Sequence, residues 1–315
     1  MVEIKANVIS DNKAKEIDKA VKLLVKETKF IDDTKFKAFF EKKVRRTISI
    51  YKLFNKRDKI VVAASGGKDS TVCLYVLKKL GYNVEAITID ANIGDYTKTN
   101  LEYLKIVCEK YNIPLHVISF KDEFGKSLNH MRGMLKSKGY DYSSCGLCGI
   151  LKRFLLNKHA RRLKFDYLAT GHNLDDEAQA FVMNVFRNDF KLAKRQGPKP
   201  GAIKSARFIQ RVKPLYLISE NEVIRYSKIM DFPVNYGICP LSVLAYRRQF
   251  IGILDEFEKK HPSVKYNIIR FHETMNKSLK PAKKTKILFC ESCGEPSAKK
   301  ICNTCKIFMQ LQEEN

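Results

Sequence analysis

The spacing of apolar positions changes near residue 59. Before it, Ala20, Leu23 and Leu24, then Phe36, Phe39, Phe40, Val44, Ile48 and Leu53, recur at helical intervals among many charges. That pattern predicts helices within 13–57. After it, short apolar runs alternate with helical spacing. Residues 60–64 (IVVAA) read as a strand, and Val72, Leu74, Tyr75, Leu77 and Leu80 mark the helix that follows. Strands are then predicted over 84–90, 115–120 and 165–170, with helices over 99–111, 150–163 and 175–187. This alternation predicts an α/β fold: a parallel sheet with helices on both faces. Further helices fit 221–230 and 243–260. Residues 191–207 are broken by Gly and Pro and read as a loop carrying Lys191, Lys194, Arg195, Lys199, Lys204 and Arg207, with no acid. Residues 262–286 read as a connector ending in a basic run over 280–286. The expected division is a helical region over 1–57, a main domain over 58–260, a basic connector over 261–286 and a small cysteine-rich module over 287–310.

The most informative stretch lies where the first strand meets its helix. Apolar residues ending at Ala63 and Ala64 break into Ser65-Gly66-Gly67-Lys68-Asp69-Ser70. A glycine turn at a helix start aims several backbone N–H groups at one point, and the helix dipole adds to their pull on anions. Ser65 and Ser70 add hydroxyls, and Lys68 adds positive charge. The turn predicts a phosphate site, with Asp69 as a carboxylate beside it. It is not a Walker A loop, which needs G-x-x-x-x-G-K-[ST]. Ligands of open parallel sheets bind beyond the carboxyl ends of the strands. Ser65, Asp90 and Gly171 all fall at such ends, so one nucleotide site can draw on all three.

Length and charge sharpen this picture. The chain has 315 residues and is 44% hydrophobic, enough for a substantial core. No apolar run approaches a membrane span, and the polar N-terminus lacks a signal-peptide pattern. A cytoplasmic, non-membrane protein is expected. Lys and Arg total 59 against 34 Asp and Glu, a formal charge of +25. Such a field favours polyanionic partners, with nucleic acid ahead of an anionic membrane.

Nine cysteines in such a chain point to metal or reactive thiols rather than disulfides. Cys73 and Cys108 stand alone in helical patterns and are expected in the core. Cys290-x-x-Cys293 and Cys302-x-x-Cys305, eight residues apart, can place four thiolates around one Zn²⁺. All four ligands are protein groups, so the predicted role is structural. Cys145-x-x-Cys148 has no second pair nearby, and its available partner is Cys239 in GICPL. Three such cysteines suit a [4Fe–4S] cluster with one open iron. A redox C-x-x-C and a three-cysteine zinc site fit the spacing as well.

Taken together, SGGKDS, CGLCGILKRF, GHNLDDEAQ and GICP resemble the TtcA/TtuA family of tRNA 2-thiolation enzymes, within the PP-loop ATP pyrophosphatases. The resemblance is strongest to the branch of archaeal NcsA and the eukaryotic cytosolic thiouridylase catalytic subunit. It runs from about residue 37 to the C-terminal cysteines. It implies an adenine nucleotide α-hydrolase-like domain with a small zinc-ribbon-like module. It also implies a two-step reaction: ATP adenylates O2 of a tRNA uridine, and sulfur then displaces AMP at C2. Carried onto this chain, the cluster ligands are Cys145, Cys148 and Cys239. The nucleotide residues are Ala63, Ser65, Gly66, Gly67, Lys68, Asp69, Ser70, Ile89, Gly171 and His172, with Ile89 and Gly171 acting through their backbones. Lys152 and Asp176 are the catalytic candidates. Lys152 lies seven residues after Cys145, two helical turns along the same face, where a cation can neutralise α-phosphate charge. Asp176 can accept a proton or hold Mg²⁺. Asp175 and Asp176 also read as an N-cap pair.

One departure stands out. The TtuA-type members carry a zinc knuckle before the equivalent of residue 37, and this chain has no cysteine before Cys73. The implied partners are tRNA, a sulfur donor (sulfide, a persulfide or the thiocarboxylate of a ubiquitin-like protein) and a second copy in a homodimer. Position 34 of the tRNA is slightly favoured over position 54. The alternatives are 2-thiocytidine synthesis and a non-catalytic RNA-binding scaffold that uses zinc and ATP structurally.

Overall fold

The computed structural model describes residues 32–201, 208–242, 246–279 and 288–313. Ala20, Leu23, Leu24, Lys204, Arg207 and the basic run over 280–286 lie outside them. Five strands form the central sheet: β1 (Lys59–Ala63), β2 (Asn83–Asp90), β3 (Leu115–Ser119), β4 (Tyr167–Thr170) and β5 (Gln210–Val212). All pair in parallel, in the order β3-β2-β1-β4-β5. The chain starts in the middle, runs outward to β3, then returns to the other side of β1. That reversal opens a crevice between the carboxyl ends of β1 and β4, where Ala63 pairs with Thr170.

Alternate strand residues serve opposite faces, as a pleated strand requires. Ile60, Val62, Val84 and Ala86 pack with helices α1 (Asp33–Ile50), α2 (Lys68–Lys79) and α9 (Glu220–Ile229), through Phe36, Phe40, Val44, Leu74, Leu77 and Tyr226. Val61 and Ile87 face the other way, onto Ala160 and Phe165. Helices α3 (Gly94–Lys110) and α6 (Ser144–Arg162) complete the βα units, β2 to β3 and β3 to β4. Both faces are covered, so the strands read as nearly continuous apolar runs. Between β3 and α6, residues that carried no assignment from sequence form α4 (Phe120–Phe124) and α5 (Leu128–Ser137). The outer strand on the β4 side, β5, was also unassigned. It has only three residues and no alternation to read.

Helices α7 (Leu174–Phe186) and α8 (Phe190–Lys194) follow β4, and α10 (Arg248–Lys260) precedes α11 (Val264–Ser278). Two expectations are corrected here. The first turn of the 191–207 segment is helical, as α8 (Phe190–Lys194). The connector expected from 261 is largely helix α11, whose Tyr266 and Ile269 join Leu174, Tyr216 and Leu254 in a core cluster. Its basic and polar composition concealed a half-buried helix. Lys265 is 1% exposed. Its ammonium bonds Asp175, Asp255 (2.6 Å) and Glu258 (2.8 Å).

The C-terminal module has a two-stranded antiparallel hairpin, β6 (Leu288–Phe289) and β7 (Pro296–Ser297), followed by α12 (Asn303–Gln312). Ile307 and Leu311 of α12 join Leu147, Leu151 and Leu155 of α6 in one core. Glu295 ties the hairpin to Arg161 (2.8 Å) and Asn157 (3.0 Å). Among the described residues, no helix is long and apolar enough to cross a membrane.

Candidate functional site

The glycine turn closes on itself. Ser70 Oγ donates to Gly67 O (3.1 Å) and accepts from Ser65 N (3.0 Å). Ser70 is thereby used inside the turn, while the Ser65 hydroxyl stays at its mouth. Gly66 has φ +77°, and a Cβ there would lie 2.1 Å from the Asn100 carbonyl oxygen. Glycine is required on both counts. Gly67 is the N-cap of α2, so the first N–H groups of that helix point outward from the turn. Gly171, at the end of β4, packs against the same turn: a Cβ there would sit 2.7 Å from Asp69 C and Ser70 N.

A chain of polar contacts holds the turn to α7 and α9. Lys68 pairs with Asp69 (3.0 Å) and Glu220 (2.8 Å). Burial opposes the Lys68 charge, but the two carboxylates more than offset it and its pKa is raised. Burial pushes the Asp69 carboxyl up, Lys68 pulls it back, and the Asp176 charge adds to the rise. Asp69 accepts from Asn173 Nδ2 (3.0 Å). Asn173, not Asp175 or Asp176, is the N-cap of α7. It forms a reciprocal capping box with Asp176, at 3.0 and 3.1 Å. The other Asp176 oxygen accepts from Arg247, whose guanidinium also donates to Gln179 (3.0 and 3.1 Å). Burial raises the Asp176 carboxyl, but Arg247 and His172 outweigh it, and the net direction is down. Both Asp176 oxygens therefore already accept from protein donors. Asp175 turns the other way, to Lys265 and the Glu220 N–H (2.7 Å). His172 Nδ1 lies 2.9 Å from Thr170 Oγ1, away from the cavity described next.

A cavity of about 290 Å³ opens beside the turn. Ser65, Ile89 and Asp90 line one side, from the ends of β1 and β2. Cys145, Cys148 and Lys152 line another, from the first turns of α6, and Cys239 enters from the loop after α9. Ser143 caps α6 by accepting from Gly146 N (3.2 Å), which fixes where the two α6 cysteines point. The predicted spacing of Cys145, Cys148 and Lys152 on one helical face is what the structure shows. Burial pushes the Cys148 thiol up, and the nearby Lys152 ammonium pulls it back. Among groups whose ligand atoms all lie within 4.8 Å of one another, these three cysteines are absent. That spacing does not suit a single ion already gathered by three thiols.

The four C-terminal cysteines behave differently. Their sulfurs all lie within 4.8 Å, and Cys293 and Cys302 Sγ are 3.8 Å apart. A tetrahedral zinc with Zn–S bonds near 2.3 Å has an edge of about 3.8 Å. Backbone N–H groups of Cys302 and Cys305 donate to Cys290 Sγ (3.2 Å) and Cys302 Sγ (3.3 Å), which favours thiolates. Gly294, at φ +69°, turns the first knuckle. Asp175, Asp255 and Glu258 form another close group, but the Lys265 ammonium occupies its centre. Cys73 and Cys108 are buried core thiols, as expected, and burial pushes Cys108 up to about 11.

The PP-loop domain family matches residues 32–233. A tRNA-5-methyluridine(54) 2-sulfurtransferase from Pyrococcus horikoshii is 38% identical over 287 residues, covering 91% of this chain and 90% of its own. The chain belongs to the PP-loop family of tRNA 2-thiolation enzymes. A cytoplasmic tRNA 2-thiolation protein 1 from Drosophila mojavensis is 32% identical over 289 residues, covering 88% of this chain and 80% of its own. The solved structure of the U34-tRNA thiolase NcsA from Methanococcus maripaludis, with its [4Fe-4S] cluster, superimposes with a TM-score of 0.74 at 31% identity. That match covers 89% of each chain. The resemblance read from four sequence motifs is thus the family itself, and the parallel α/β fold is shared with it.

Some site residues were not legible in the sequence. Tyr96 and Asn100 of α3 line the cavity. Glu220, Gln179 and Arg247 hold Lys68 and Asp176. Tyr96, Asn100, Glu220 and Arg247 come from segments with no motif of their own, and Gln179 ends the GHNLDDEAQ motif without having been assigned a role. The available signal for Tyr96 and Asn100 was their place just beyond the carboxyl end of β2.

Proposed function

We propose that this enzyme is a tRNA-uridine 2-sulfurtransferase that acts at position 34 of the anticodon. One observation carries the reading: Ser65, at the mouth of the glycine turn, lines a single cavity with Cys145, Cys148 and Cys239, and Lys152 stands on its wall. The α2 N-terminus and the Gly66–Gly67 backbone receive the phosphates of ATP. Uridine O2 attacks the α-phosphorus, the bond to pyrophosphate breaks, and the N3 proton is released. Lys152 stabilises charge on the α-phosphate as the adenylate forms. Sulfide then adds at C2 as HS⁻, the C2–O2 bond breaks as AMP leaves, and the sulfide proton restores the N3–H of 2-thiouridine. Cys145, Cys148 and Cys239 would hold a [4Fe–4S] cluster, which when bound supplies an open iron for sulfur. Asp176, held by Asn173 and Arg247, orients the start of α7 beneath the turn. Cys290, Cys293, Cys302 and Cys305 would hold a structural zinc that keeps the C-terminal module against α6.

The +25 charge suits tRNA, and Lys194, Arg195 and Lys199 are proposed contacts to its phosphates. The relatives include enzymes named for each position. Nucleoside mass spectrometry of tRNA treated with the purified protein, ATP and sulfide tests the reading. 2-Thiouridine mapped to position 34 is expected. Thiolation at 54 overturns the position, and 2-thiocytidine overturns the substrate.

A further inference from the structure

Asn100 sits in α3, directly behind the glycine turn, where its backbone carbonyl meets Gly66. Its side chain is 6% exposed and lines the cavity. Its Oδ1 is buried and has no hydrogen-bond partner among the described residues. Buried amide oxygens are seldom left in that state, because desolvation without a donor is costly. Tyr96, one helical turn earlier, lines the same cavity. It stands beside Asn100 and Cys239, both of which act on its phenol. The Asn100–Tyr96 pair therefore spans the gap from the glycine turn to the cysteine side.

On the function proposed above, the reacting pyrimidine must lie in that gap, with C2 between the phosphate and the sulfur. Uracil in RNA has a single ring N–H, at N3, next to C2. Cytosine has a lone pair at the same place. An acceptor buried in the cavity wall, reached when the Asn100 side chain turns toward the base, suits the first and repels the second. We propose that Asn100 is a specificity-determining residue that accepts the N3–H of the target uridine, with the Tyr96 ring as a wall beside the base. A ribose hydroxyl of ATP could also donate to Oδ1, so the test must separate base from nucleotide.

Asn100→Ala and the same-shaped Asn100→Asp are compared with wild type by titration with ATP alone. Each is then assayed for AMP release on full-length tRNA transcripts carrying uridine or cytidine at the modified position. The expected Asn100→Ala enzyme binds ATP within about twofold of wild type but loses about tenfold or more of its uridine-over-cytidine preference in kcat/KM. Asn100→Asp, which still accepts, keeps more of that preference. A tenfold loss of ATP affinity in both variants would move Asn100 to the nucleotide and overturn the proposal. So would an unchanged preference in Asn100→Ala while wild type thiolates uridine. A wild-type enzyme inactive on both transcripts would overturn the function itself, and this assignment with it.

Discussion

Gly171→Ala places one methyl group where the end of β4 meets the phosphate turn. Its Cβ would lie 2.7 Å from Asp69 C and Ser70 N and 2.8 Å from Asp69 O. Ordinary contacts begin near 3.4 Å, so the turn must retreat by roughly 0.7 Å. The obstacles are backbone atoms, which cannot swing aside as a side chain would. Gly171 is not at positive φ, so alanine meets no backbone penalty and the clash acts alone. Overpacking of this kind costs about 1–3 kcal/mol. The functional loss should be larger, because a displacement approaching 1 Å at a reacting centre costs on the order of 10²-fold in rate. Gly133→Ala is the control: it lies in α5 with nothing within 4 Å of its added Cβ. It should gain up to about 1 kcal/mol from helix propensity and leave activity alone. The assay is ATP-dependent AMP release with tRNA, alongside thermal melting. A Gly171→Ala enzyme with wild-type AMP release would refute the claim that the β4 end sets the position of the turn.

Three further outcomes follow from the same contacts. Lys265→Met leaves Asp175, Asp255 and Glu258 without their shared ammonium and should cost about 3–5 kcal/mol; an unchanged melting temperature would contradict it. Zinc chelation, or Cys302→Ser, should release residues 288–313 from α6, seen as fast amide exchange in α12. Protection retained in the chelated protein would remove the structural zinc. Asp176, whose folded pKa Arg247 and His172 hold below the usual carboxylate range, contributes stability that is complete above the unfolded value and lost as pH falls through the folded one. Arg247→Ala should therefore raise the acid-unfolding midpoint, and an unmoved midpoint would show that Arg247 does not hold the carboxylate.

What the sequence disclosed was local. The strand–turn–helix at 60–80, the two C-x-x-C pairs near the end and the Cys145–Lys152 face each depend on short-range spacing, and each was legible. What it concealed depends on distant partners. Lys265 fell within a segment read as a connector, because its carboxylate partners lie on the separate helices α7 and α10. Asp176 looked like half of an N-cap pair, although Asn173 takes that place and Arg247, 71 residues away, takes the free oxygen. Asn100 had no motif, since its importance comes from a backbone contact with Gly66 across the sheet edge. Local patterns report elements; the site is assembled by the return of the chain from β3 to β4, which no window of sequence contains.

The central claim is that the turn and the three cysteines serve one cavity. Anaerobic reconstitution with iron and sulfide, followed by ATP-dependent thiolation of tRNA by wild type and Cys239→Ser, tests it most directly. Wild type should gain the visible absorption of an iron–sulfur cluster and form 2-thiouridine, while Cys239→Ser should lose both and still bind ATP. A Cys239→Ser enzyme that thiolates tRNA at the wild-type rate would contradict the account.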